Sequence, residues 1–241
     1  MPYGPSTVAP EDPKELEDFF ERMMGINQEG KRPDLLLYDK KTFNEVAREL
    51  PAMFGNLEKV AETSSKALTG IVRRAKCALE VENSLWGTGK MPGFGKPVGR
   101  YVRGRNKGRI KPAGVIPTII LKEEDIPRLR QWEREYGVPI YIVHLSYDRA
   151  YFIRFSDVLR HIESGDIGIE TQKYSNPDGT AGTLKQVVKV PYILAREFGT
   201  ITGQSLAPRT FVDKNGKVMT YVTFEGGYIQ LSEAVLREWK T

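Results

Sequence analysis

The sequence predicts an α/β fold: a mixed central sheet flanked by helices, with a β-rich C-terminal part. Three observations predict it. Helical and strand-like patterns alternate from residue 12 to 164, as layered α/β cores require. Beyond Gly165, turn-forming residues separate runs of β-formers. The chain has 241 residues, 40% hydrophobic and 28% charged, which is ordinary globular usage and enough to bury a core without disulfides or structural metal. The whole chain, 1–241, reads as one domain, with the α/β core at 12–164 and the β-rich appended part at 165–241.

The elements follow in order. Asp12-Pro13 reads as a helix start; Leu16, Phe19, Phe20, Met23 and Met24 recur at helical spacing, and Gly25 closes the segment. Leu35-Leu36-Leu37-Tyr38 reads as a strand. From Lys41 to Lys76 the pattern is helical, split in two by Pro51 and Gly55, with Val60, Ala67, Leu68 and Ile71 on the buried face of the second helix. Cys77 to Glu82 reads as a second strand, Gly87 to Gly114 as a glycine-rich basic stretch, and Val115 to Leu121 as a strand despite Pro117. Glu123-Glu124-Asp125 puts acid at the start of a helix reaching Tyr136, where the helix dipole favours it, and Gly137 ends that helix. Pro139–Leu145 and Arg149–Phe155 read as strands, and Ser156 as the cap of a helix through Glu163. Asn176-Pro177-Asp178-Gly179 and Asp213-Lys214-Asn215-Gly216 mark turns, and Ser232 caps a terminal helix.

The sequence excludes or disfavours several function classes. No apolar run of about 18 residues occurs, and the first residues lack the charged and apolar regions of a secretion signal, so the expectation is a cytoplasmic protein with no membrane partner. Cys77 is the only cysteine and forbids an internal disulfide; with only His144 and His161 beside it, no usual structural zinc site can be assembled. No Gly-Lys-Ser/Thr occurs, which disfavours a nucleotide-binding loop. His144 lies in an apolar run and reads as a core histidine; Tyr141, Tyr147, Tyr151 and Trp132 read as packing, and Cys77 as a small buried hydrophobe.

Charge is more telling in distribution than in sum. The net is +5, yet residues 1–50 carry 7 Lys/Arg against 11 Asp/Glu, while residues 83–122 carry 9 Lys/Arg and no carboxylate. Such segregation points to a polyanion-facing surface in the middle of the chain. Lys90, Lys96, Arg100, Arg103, Arg105, Lys107, Arg109 and Lys111 are interleaved there with Trp86, Phe94 and Tyr101. Lysine and arginine neutralise phosphates, and arginine can also fork onto guanine, so these eight residues are the candidate contacts to double-stranded DNA. The bland alternative is a solvated loop with incidental charge.

Three carboxylates stand out: Asp34, Glu80 and Glu82. Alternation along a strand puts Glu80 and Glu82 on one face, where they repel unless a cation or proton lies between them. Asp34 precedes another strand that can pair with this one. Three convergent carboxylates suit a hard cation such as Mg²⁺, with phosphate oxygens and water completing its shell. The alternative is that Glu80 and Glu82 lie on the solvated face of an edge strand.

Pro33-Asp34, then Glu80-Val81-Glu82, then a basic stretch resembles the PD-(D/E)XK nuclease pattern. Ala78–Gly95 (ALEVENSLWGTGKMPGFG) followed by Ile116–Ile153 resembles type II restriction endonucleases of the AccI-like family, over residues 30 to 165. The resemblance implies a restriction-endonuclease-like sheet and Mg²⁺-dependent, sequence-specific cleavage of DNA. It further implies that Asp34 and Glu80 bind Mg²⁺, with the Val81 carbonyl as a further ligand. Glu82 falls where that superfamily usually has lysine, so either Glu82 takes the proton or Lys90 reaches back to supply a cation; Asp39 is the rival first carboxylate. Such enzymes commonly dimerise, which makes a homodimer the expected assembly. A repair or junction-resolving nuclease with the same core and a non-catalytic DNA-binding module are the alternatives.

Overall fold

The computed structural model describes residues 1–4, 31–54, 60, 63–173, 184–212 and 218–239. The helix expected at 12–25 and both turns, at 176–179 and 213–216, lie outside the described residues. The architecture is mixed α/β. Six strands form the main sheet in the order β1-β2-β6-β7-β10-β11: β1 (Leu35–Leu37), β2 (Cys77–Asn83), β6 (Ile140–Leu145), β7 (Arg149–Arg154), β10 (Arg196–Val212) and β11 (Val218–Leu231). A second sheet has the order β5-β9-β8, from Thr118–Lys122, Leu184–Pro191 and Ile169–Lys173, and a two-stranded ribbon pairs β3 (Gly99–Arg100) with β4 (Ile110–Lys111). The β-rich stretch after Gly165 thus supplies strands to both larger sheets.

Antiparallel ladders join β1 to β2, β6 to β7 and β7 to β10. Between β2 and β6 the bonds Ala78 N–H to Pro139 O (2.9 Å) and Ser84 N–H to Leu145 O (2.8 Å) keep one offset along both strands, the mark of a parallel pair. The sheet is therefore mixed, as the sequence predicts. A parallel neighbour demands a long crossover, and residues 84–139 supply it with the ribbon, β5 and the helix α3 (Ile126–Tyr136).

The chain forms two compact units. The first comprises Met1–Glu80, Pro127–Ile140 and Pro208–Val222; the second comprises Val81–Ile126, Tyr141–Ala207 and Thr223–Thr241. In the first, helix α1 (Lys40–Phe54) starts at Asp39, whose carboxylate accepts the Thr42 N–H at 2.9 Å and the Thr42 hydroxyl at 2.7 Å. Asp39 is a helix cap, a role that explains its acidity, and not a rival first carboxylate. Val46 and Leu50 are fully buried and hold α1 in place, so the helix runs on through Pro51, which in the last turn removes only one hydrogen bond. The helix thus passes the first of the two expected breakers, Pro51, and ends at Phe54, directly before the second, Gly55.

Among the described residues of the second expected helix, regular α-helix is confined to α2 (Thr69–Val72). Side chains upstream bond the backbone instead: Ser64 Oγ accepts the Ala67 N–H and Thr69 Oγ1 donates to Lys66 O, local contacts that compete with helix. Val60, Leu68 and Ile71 are buried as expected, but Ala67 is exposed. Around them Trp132 and Tyr136 of α3 pack at 5.0 Å, and the Trp132 indole N–H donates to the Tyr3 hydroxyl at 3.1 Å. Gly137 ends α3 at φ +70°, a left-handed conformation that a side chain would strain.

In the second unit Phe152, Ile142, Val143 and Phe155 are buried in the core, as are Val187, Val188 and Val190 on β9, the strand paired with β5. Strand β5 begins at Thr118, after Pro117, whose missing N–H cannot join a ladder. Helix α4 (Phe155–Glu163) begins one residue before Ser156, so Ser156 is not its cap; burial of Phe155 sets the start, and Arg154 precedes it without a capping side chain. Ser232 does cap α5 (Glu233–Trp239), accepting the Val235 N–H at 3.4 Å and donating to Glu197 O at 2.5 Å. No helix among the described residues is long and apolar enough to cross a membrane.

Candidate active site and cationic ribbon

Asp34 stands at the entry to β1. Its N–H donates to Leu79 O at 2.8 Å, and its carbonyl accepts the N–H groups of Tyr3 (2.8 Å) and Gly4 (2.9 Å), so its backbone is clamped from both sides beside the Leu79–Glu80 peptide. Glu80 is buried, at 1% exposure, in a strand with neighbours on both edges. The solvated edge-strand alternative therefore fails for Glu80.

A carboxylate so removed from water needs a compensating charge. Lys31 supplies it: its Nζ lies 2.5 Å from Glu80 Oε1. The next residue, Arg32, is also buried and turns to other partners, donating to Thr63 O at 2.6 Å and lying 4.8 Å from the Tyr3 ring centre. Lys31 is the functional candidate that sequence reading missed. The run Lys31-Arg32-Pro33-Asp34 held the signal, since a lysine three residues before Asp34 enters the same corner of the fold. Lys90, the cation expected on this carboxylate, is exposed at the end of a short 3-10 turn, Thr88–Lys90.

Glu82 is half-buried. The Ser84–Leu145 bond sets Ser84 opposite Ser146 in the parallel pair, and hence Glu82 opposite His144. The β6–β7 register continues the row to Tyr151, and the β7–β10 register to Glu197. A polar line, Glu82–His144–Tyr151–Glu197, thus crosses four strands on one face. His144 and Tyr151 are buried, as expected of core residues. Burial pushes the His144 imidazole down to about 4, so it is neutral at neutral pH, and raises the Tyr151 hydroxyl to about 12. His144 Nδ1 and Ser146 Oγ make no hydrogen bond among the described residues. Arg149 is paired with Glu197 at 3.1 Å, and Asp148 accepts both the N–H and the hydroxyl of Thr88 at 2.7 Å.

The three expected metal-binding carboxylates do not converge: among the described residues no three His, Cys, Asp or Glu side chains come close enough to hold a metal ion. Asp34 and Glu80, two hard oxygen donors placed opposite each other by the β1–β2 register, fit Mg²⁺ in chemistry, since Mg²⁺ commonly takes only one or two carboxylates and keeps several waters.

The eight basic residues of the glycine-rich stretch fall into two groups. Arg100 Nη1 lies 2.6 Å from Asp166 Oδ1 and 2.6 Å from Gly108 O. Arg109 Nη1 donates to Asn106 Oδ1 at 2.9 Å, and its guanidinium occupies the space over Gly168, where a Cβ would come within 2.0 Å of it. Lys90, Lys96, Arg103, Arg105, Lys107 and Lys111 are exposed, Lys111 lying 5.7 Å from the Tyr101 ring centre. Asp166 is the anchor of the ribbon: His161, Arg100 and Ser164 all bond its carboxylate, which drives it down to about 2.

No family model, curated protein or solved structure matches the chain.

Proposed function

We propose that the chain is a Mg²⁺-dependent, sequence-specific endonuclease of double-stranded DNA, of the type II restriction kind, acting as a homodimer. One observation carries the reading: Asp34, the buried Glu80 and Lys31 share one corner of the β1–β2 ladder. Two carboxylates and a lysine are the groups that the PD-(D/E)XK resemblance asks for, with the lysine entering from position 31 in place of position 82.

Asp34 and Glu80, with the Val81 carbonyl, would hold Mg²⁺. When bound, the ion would acidify water and offset charge on the scissile phosphate. Lys31, fixed on Glu80, would hold its ammonium toward the phosphate oxygens. Glu82, half-buried and next to the neutral His144 in the strand register, is the group to accept the proton of the attacking water. The exposed cations Lys90, Lys96, Arg103, Arg105, Lys107 and Lys111 would bind the DNA backbone, and a two-fold dimer would present two such corners to the two strands of a palindrome.

The test is incubation with long duplex DNA and Mg²⁺. Discrete fragments are expected; a smear would indicate nonspecific cleavage, as by a repair or junction-resolving nuclease. A second reading, a DNA-binding module without catalysis, is favoured by the Lys31–Glu80 pair itself, because a lysine already neutralises the carboxylate. Retardation of the DNA without any cleavage would select that reading.

A further inference from the structure

The ribbon β3–β4 extends beyond its two short strands through Tyr101 N–H to Arg109 O (3.0 Å) and Gly108 N–H to Tyr101 O (2.8 Å). The loop that closes it, residues 102–108, carries Arg103, Arg105 and Lys107 and no acid. These three side chains are exposed and make no ion pair among the described residues. At the start of the loop Val102 is 79% exposed. Single exposed apolar residues are common and need no explanation by themselves. Here the valine leads a loop of unneutralised cations whose base is rigidly held: Asp166 grips Arg100, and its backbone carbonyl accepts the Ile110 N–H at 2.9 Å. Three like charges on seven residues repel each other, so the loop is built to meet a polyanion. An exposed apolar side chain beside such cations is the chemistry of a wedge entering between base steps from the minor groove while the cations hold the flanking phosphates.

We propose that the 102–108 loop is an arm that enters the minor groove of duplex DNA and bends it, Val102 wedging between base pairs and Arg103, Arg105 and Lys107 binding the phosphates on either side. Arg100 and Arg109 brace the arm and do not touch DNA. The proposal rests on the reading of the chain as a DNA enzyme and adds how the substrate is engaged.

The full chain is titrated onto AT-rich duplexes carrying a donor and an acceptor dye at their ends, in Ca²⁺ to withhold cleavage, at several salt concentrations. Wild type should bind and raise energy transfer, because bending brings the ends together. Val102→Ser should bind within about threefold of wild type and lose most of that rise, since phosphate contacts supply most of the affinity. Changing Arg103, Arg105 and Lys107 together to alanine should shallow the slope of log K against log salt by about 0.9 per cation, whereas Arg100→Ala should leave the slope near wild type.

A Val102→Ser protein that bends DNA like wild type, or a triple variant with an unchanged salt slope, overturns the arm while DNA binding stands. A chain that binds and bends but never cleaves with Mg²⁺ sinks the endonuclease reading and leaves the arm. No duplex binding by wild type, or tighter binding to duplex RNA than to DNA, overturns the arm.

Discussion

The corner around Glu80 and the arm around Arg103 treat charge in opposite ways. At the corner a carboxylate is taken out of water and meets the Lys31 ammonium at 2.5 Å, so its energetics are set by desolvation and hardly screened by salt. On the arm the cations stay hydrated; keeping them there costs little, and they gain energy only when a polyanion arrives. The corner should therefore reveal itself in stability and chemistry, and the arm in affinity and salt dependence. Substitutions that fail to separate in this way would break the comparison.

The largest effect belongs to the corner. Lys31→Met removes an ion-pair partner of a buried carboxylate, which typically costs about 3–5 kcal/mol; Lys31 is itself 29% exposed, so the lower end is expected. Glu80→Gln should cost less, because the lysine left behind can turn to water. Urea unfolding of both variants decides it, and equal small losses would mean that the pair contributes no stability.

A buried polar group in the second unit extends the same logic to pH. His144 is held near 4 by burial, against 6.5 in an unfolded chain, so between these values the unfolded state binds the extra proton. Stability should be highest above pH 6.5 and fall as pH drops toward 4, by roughly 3 kcal/mol at most given 1.36 kcal/mol per pKa unit. His144→Gln should remove that part of the fall. An identical pH profile in the variant would show that the imidazole protonates freely in the folded protein.

Smaller still is the expected loss at the base of the ribbon. Asp166→Asn should cost about 1–2 kcal/mol, as for a charged hydrogen-bond acceptor, while leaving the carboxylate corner intact. With the carboxyl held near 2 by His161, Arg100 and Ser164, its contribution is full above the ordinary carboxylate range and is lost as pH falls toward 2. Alanine changes at Arg103 or Arg105 should alter stability by less than about 0.5 kcal/mol, the usual bound for surface positions, and act only through DNA affinity.

Local signals were well conserved between sequence and fold. The Glu-x-Glu strand, the end of α3 at Gly137, the paired runs of β6 and β7 and the Ser232 cap each depend on a few neighbouring residues, and each forms as expected. Expectations failed where a distant contact outweighs a local preference. Buried Val46 and Leu50 carry α1 past Pro51, and buried Phe155 displaces Ser156 as the start of α4. The same reason hid Lys31 and the division among the cations: Lys31, outside any strand, meets a residue on β2, and Arg100 finds Asp166 66 residues away, a pairing that no periodicity announces. Strand alternation and the pairing of the two strands put Asp34, Glu80 and Glu82 on one face, but fix a face and not a distance.

Cleavage of long duplex DNA by wild type and Glu80→Gln, beside a gel shift of each in Ca²⁺, tests the central claim most directly. The account predicts discrete fragments from wild type with Mg²⁺, intact DNA with the variant, and comparable retardation by both, since the substitution removes a ligand charge while hardly changing volume. DNA left whole by wild type, or cut by the variant at the wild-type rate, would contradict it.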